Sequence, residues 1–469
     1  MTPAETTAAR APFTGWRPWL TNILLLTLGI ALFRLSQQLV GEYHHFTIGF
    51  SGVSGWSAAI YTAAVVLILT QPVNRATLPL VLAIALAARI PPLLAPPHLS
   101  TDIYRYVWDG IVQHAHISPY RYVPGDPALG FLRAPHQDIF AHINRRDYAH
   151  TIYPPLAQML FYLITAVSPT VTAMKLAMVL FEAVTVAALL QMLKGLGRPP
   201  EQVLLYAWCP LLVWEIAGAG HLDSAAIAFI ALALLARLGR RPIATGLLLG
   251  IAVMIKFYPL VLAPALWFRG DYRSGAAWKM AAALAAPVVL GYACYAGVGS
   301  RVFGFLGGYA QEEGLETGSR YFLYDLACRA PALHNLPIAI FYLVCVAIFL
   351  ALTLWALAAS RPQAPRRAFL APAFALAFAL MLLFSPHYAW YILWLVPFFA
   401  LQPNLPVLAY LMGFFYLYTT RYAMPGPGTF FLNKVLYALT LASFAVWLPY
   451  HLWAARRARR AAAAPVAAV

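Results

Sequence analysis

Apolar runs recur along the whole chain, many of them long enough to cross about 30 Å of hydrocarbon and several short for a full crossing. They lie at roughly 20–40, 55–71, 76–96, 171–194, 201–219, 222–236, 243–256, 257–268, 276–297, 336–358, 367–385, 389–402, 404–420 and 430–454. In lipid the backbone polar groups must be satisfied within the protein, which favours helices. The expected fold is therefore an all-α polytopic membrane protein with about 12–14 transmembrane helices. Composition agrees: only 10% of the 469 residues are charged, and 62% are hydrophobic. Soluble chains carry about 25% charged residues, so a cytosolic enzyme, a disordered chain and a disulfide scaffold are excluded. Cys209, Cys294, Cys328 and Cys345 are too scattered for a disulfide or metal framework.

The net charge of +16 raises the question of nucleic acid. Its distribution answers it. With the N-terminus in the cytoplasm, the segments on that side hold 18 cations against three acids, while the rest of the chain is nearly balanced. The excess forms a cytoplasmic rim that faces anionic lipid headgroups, with both termini inside and no nucleic-acid partner. The alternation requires that Tyr153–Ser168 does not cross the membrane. It reads as an interfacial or re-entrant helix opened by Pro154 and Pro155. The first span lacks a cleavage site and reads as retained.

The organisation follows: N-terminal spans over 1–96, an extracytoplasmic loop over 97–170, a transmembrane core over 171–297, a second extracytoplasmic loop over 298–335, and C-terminal spans with a basic tail over 336–469. Cytoplasmic loops are short and carry no phosphate-binding motif, so the chemistry belongs outside.

The densest polar cluster, Thr101–Gly110, follows the third span. Asp102 and Asp109 are seven residues apart, on one helix face, with Tyr104, Arg105 and Trp108 around them. A carboxylate at the membrane surface beside aromatics can take a proton from a substrate hydroxyl; the plainer reading is an interfacial helix with an Asp–Arg pair. Tyr122, in Ile117–Tyr122, either contacts substrate or shapes a loop. Lys256 sits between two short apolar helices, with Tyr258 and the helix-breaking Pro259 beyond. A cation there needs an anion, such as a phosphate, or must snorkel to the interface. His221 and Asp223 either join the site or lie at a helix start where Asp223 is the N-cap. Glu182 and Glu215, inside spans, read as structural. The histidines at 114, 116, 136, 142 and 150 lack metal-ligand spacing, so no metal is expected.

In order along the chain, Thr101–Gly110, Ser118-Pro119-Tyr120, Tyr153-Pro154-Pro155-Leu156, Gly246–Pro259, Arg320–Leu326 and Ser385–Tyr391 resemble the GT-C glycosyltransferases that use polyprenyl-phosphate sugars. The likeness is to the catalytic family of GPI mannosyltransferase I and to bacterial polyprenol-phosphate-mannose mannosyltransferases. The family's Asp-x-Asp is incomplete here, since Asp102 is followed by Ile103 and Tyr104, and two extra spans precede its usual first one. The resemblance implies transfer of a hexose, most readily mannose, from a polyprenyl-phosphate donor to a glycan, glycolipid or protein acceptor at the outer face of a bacterial inner membrane, without a cofactor. Asp102 and Asp109 would be the catalytic acids. Arg320, Tyr321, His387, Tyr388 and Arg421 would join Tyr104, Arg105, Tyr122, His221, Asp223, Lys256 and Tyr258 in binding substrate. A lipid-linked-sugar flippase and an oligosaccharide ligase or polymerase are the competing readings. The flippase would have to line its pathway with Glu182 and Glu215.

Overall fold

The computed structural model describes residues 16–41, 49–97, 99–268, 275–361, 364–385, 388–423 and 429–463, with helices and turns and no strand among them. Among the described residues, six helices are long and apolar enough to cross a membrane: within α1 (Arg17–Gly41) and α2 (Gly49–Thr70), then α3 (Thr77–Leu94), α6 (Val171–Gly195), α9 (Ala276–Cys294) and α10 (Ile338–Ala359). Between α3 and α6 lie α4 (Asp102–His114) and α5 (Pro155–Val167). Between α6 and α9 lie α7 (Asp223–Leu238) and α8 (Pro242–Ile255). Beyond α10 come α11 (Leu370–Phe384), α12 (Leu405–Ala423) and α13 (Thr429–Ala463). The molecule is the all-helical polytopic membrane protein that the apolar runs predict, but among the described residues six helices, not 12–14, are long enough to cross, because several of the runs form helices of only 10–17 residues.

α5 has Pro155 in its first turn and 13 residues. That is about 20 Å of helix, short of the hydrocarbon thickness. It packs on α4, where Gly110 lies against Thr165 and the Phe161 carbonyl.

Polar side chains fasten the spans to one another. In the buried interior Glu182 of α6 binds Arg89 of α3, whose Nε lies 2.7 Å from Glu182 Oε2; Arg89 also donates to the carbonyls of Ala85 and Ala207. This is the structural role expected of Glu182. Pro91 and Pro92 stand in the last turn of α3, and the carbonyls of Pro92 and Ala95 accept from the buried Lys175 Nζ of α6. The α8–α9 pair is packed backbone to backbone. A Cβ at Gly246 or Gly250 would fall 2.1 or 2.4 Å from the carbonyl oxygens of Met280 and Leu284. Four-residue spacing of glycines lets the two backbones meet directly.

Two breaks position the site. α8 stops at Ile255, Lys256 is extended, and a 3-10 turn runs over Tyr258–Leu262. A π-helical turn over Val213–Gly218 precedes α7. Both breaks bring polar residues to the end of the helices where α4 lies. All four cysteines are free.

Candidate active site

A cavity of about 420 Å³ opens where these breaks meet the two loops. The first loop contributes Asp102 and Arg105 from α4 and Asn144, Arg145, His150 and Tyr153 beyond it. Lys256 enters from the α8 break, Tyr309 from the second loop, and Tyr388, Trp390 and Tyr391 from the segment after α11. Segments more than 250 residues apart in sequence thus share one space.

Asp102 opens α4 and is half-buried, held among the described residues only by Asn144 Nδ2 at 3.2 Å, so its carboxylate stays available to a ligand. Asp109 has another environment. It is buried, receives Arg105 Nε at 2.7 Å on one oxygen and Gln158 Nε2 at 2.9 Å on the other, and does not line the cavity. The seven-residue spacing places both acids on α4, but the packing of α5 covers only the second. Asp109 therefore positions Arg105. Arg105 also donates to the Ala149 carbonyl, and its buried Nη2 has no partner among the described residues.

Lys256 Nζ lies 2.5 Å from Asp223 Oδ2 and 5.0 Å from the centre of the Tyr391 ring. Asp223 is fully buried, and its Oδ1 has no partner among the described residues. Asp223 is the first residue of α7 and makes no cap hydrogen bond; its side chain turns to Lys256, so the N-cap reading is replaced by an ion pair. His221 stacks on Trp390 at 4.2 Å, with Nε2 3.1 Å from Glu215 Oε2. Tyr106 stands close to both acids: burial first, then the charges of Asp102 and Asp223, push its phenol well above the ordinary range. Burial and Asp102 do the same to Tyr153. Both phenols are neutral at pH 7 and can only share protons through hydrogen bonds.

Of the other expected residues, Arg320, Tyr321, Tyr104, Tyr122 and Tyr258 lie outside the cavity. Arg320 is buried in an ion pair with Glu313 and donates to the Phe384 carbonyl. Tyr321 packs against Phe341 and Phe384. Tyr104 stacks on His142, Tyr122 lies under Arg121, and Tyr258 packs on Trp394 with its hydroxyl unpartnered among the described residues. Tyr388 lines the cavity and stacks on Trp390 at 4.5 Å. His387 and the Arg421 side chain lie outside the described residues.

Asn144, Arg145, His150 and Tyr309 are cavity residues that the sequence does not single out. Arg145 has a φ of 52° and joins Glu312 of the second loop, which also accepts from Tyr148. A non-glycine residue in the left-handed region is the local signal, visible only in the fold. Gly304 of the second loop, at φ 53°, sits where a Cβ would fall 1.7 Å from the Thr151 carbonyl, so glycine is required for the loops to touch. Among the described residues no three His, Cys, Asp or Glu side chains gather as a metal-binding group.

A carboxylate, a lysine and an arginine around a cavity at one end of apolar helices fit the GT-C-like class of membrane glycosyltransferases. Residues 15–269, more than half of the chain, match the family model described as Alpha-(1->6)-mannopyranosyltransferase, N-terminal domain (MptA_B family). The chain belongs to that family and is a mannosyltransferase, with Asp102, Arg105, Asp223 and Lys256 inside the matched segment. No curated protein and no solved structure matches it.

Proposed function

We propose that the protein transfers mannose from a polyprenyl phosphate to an acceptor hydroxyl on the extracytoplasmic side of a bacterial inner membrane, with inversion. The observation that carries this reading is the joint presence of Asp102 and Lys256 on one cavity. Asp102 takes the proton of the acceptor hydroxyl as its oxygen bonds to the anomeric carbon. The bond from that carbon to the phosphate oxygen breaks on the opposite face, and the electron pair leaves with the phosphate. Lys256, with Arg105 beside it on the cavity wall, meets the charge that develops there. No metal is invoked. A β-linked donor then gives an α-linked product, in keeping with the family description, and the (1→6) linkage is proposed from that description.

The donor's prenyl tail would lie against the apolar helices that carry Lys256 and Asp223. The acceptor would be a glycan, glycolipid or protein. The flippase reading needed Glu182 and Glu215 for a central pathway. Both are buried, Glu182 against Arg89 and Glu215 against His221.

The test is transfer by the purified protein in nanodiscs, using radiolabelled β-mannosyl polyprenyl phosphate and an α-mannoside acceptor. Labelled α-(1→6)-linked product is expected. Transfer from a nucleotide-sugar alone, or a β-linked product, would overturn the donor or the inversion respectively.

A further inference from the structure

A second cavity, of about 670 Å³, lies between the C-terminal ends of α6 and α7, the first half of α8 and the segment leading into α11. α7 and α8 fix its place relative to the catalytic cavity. Asp223 opens α7 and Leu238 closes it; Ala244 lies near the start of α8 and Lys256 just past its end. The 16 residues of α7 separate its ends by about 24 Å. The second cavity therefore faces the opposite membrane surface and is not part of the catalytic site.

Its lining has two chemistries. Leu196, Leu232, Leu235, Leu238 and Leu248 give an apolar floor. Arg241, Arg366 and Arg367 stand exposed around it, and none of the three pairs with a carboxylate among the described residues. Like charges gathered without counterions repel one another unless an anion joins them. A free phosphate would satisfy the guanidiniums and leave the leucines in water. A zwitterionic lipid would cover the leucines and leave the charge unmatched. Only a molecule with an anionic head and an apolar tail meets both demands, and basic pockets between membrane helices take such headgroups.

We infer that this cleft binds an anionic phospholipid of the leaflet opposite the catalytic cavity. The phosphodiester sits among Arg241, Arg366 and Arg367, where planar guanidiniums can engage phosphate oxygens in pairs, and the upper acyl chain lies on the leucines.

The experiment uses the full chain in detergent, titrated with phosphatidylglycerol, phosphatidylcholine or glycerol 1-phosphate and read by native mass spectrometry. Retention of phosphatidylglycerol over phosphatidylcholine is expected, with no competition from glycerol 1-phosphate. In the triple variant Arg241→Gln, Arg366→Gln, Arg367→Gln, affinity for phosphatidylglycerol should fall about a hundredfold, the scale of three cation–headgroup contacts. Donor binding at the other end of the helices should be unchanged and reports that the variant is folded. If the triple variant does not fold, each single Arg→Gln variant should show about a fivefold loss. Undiminished phosphatidylglycerol retention in the folded variants would overturn the site. Equal competition by glycerol 1-phosphate would show a soluble-anion site instead and overturn the lipid.

Discussion

Lys256 Nζ donates to Asp223 Oδ2 at 2.5 Å, joining the residue just past α8 to the one that opens α7. The ammonium is partly open to the cavity, whereas the carboxylate is fully buried. Removing either partner therefore has unequal consequences. Without Lys256, Asp223 is a buried carboxylate with no counterion; without Asp223, Lys256 still reaches the cavity.

This asymmetry separates stability from donor binding. Lys256→Met is expected to destabilise the fold by about 3 kcal/mol, the scale of an orphaned buried charge. Adding Asp223→Asn should restore most of that loss, because the amide carries no charge. Donor affinity in the double variant should stay lower by about 1.5–3 kcal/mol, the scale of a hydrogen bond to a charged group. Thermal unfolding and donor binding in nanodiscs would read the two separately. Wild-type donor affinity in the double variant would remove Lys256 from the phosphate site.

The two acids of α4 should part in the same way. Asp102→Asn should lower single-turnover mannose transfer by about 100- to 10,000-fold, the range for a general base, with the melting temperature unchanged. Asp109→Asn breaks a buried pair with Arg105, so its main effect should be on stability, about 3 kcal/mol. A stable Asp109→Asn that is inactive, alongside an active Asp102→Asn, would reverse the assignments.

His150 offers a pH test. Burial, then the nearby Arg105 and Arg301 cations, hold its imidazole below the usual histidine range. As pH falls through about 6.5, the unfolded chain takes up a proton that the folded chain refuses, so this residue lowers stability there and has no such effect above it. Between pH 7.5 and 5 the wild type should lose more thermal stability than His150→Gln. Parallel curves would show that His150 remains neutral or charged in both states alike.

Sidedness can be read in intact cells. In a background with the four cysteines replaced, Asp147→Cys and Ser319→Cys, both at exposed loop positions, should react with an impermeant thiol reagent. Arg240→Cys, at the far end of α7, should be protected. The opposite pattern would place the catalytic cavity in the cytoplasm.

The sequence alone determined the helical membrane architecture, because each apolar run reports its own ability to cross lipid without help from the rest of the chain. It also singled out Asp102 and Lys256, since a charge beside long apolar runs is costly and stands out locally. It could not choose between Asp102 and Asp109, which share a helix face; α5, through Gln158, buries one and leaves the other open. Nor could it tell that the anion beside Lys256 includes Asp223, that Arg320 is taken by Glu313, or that His150 and Tyr309 complete the cavity. These relations depend on which distant segments pack together. A side chain's partner is set by through-space distance, and only the tertiary structure fixes that.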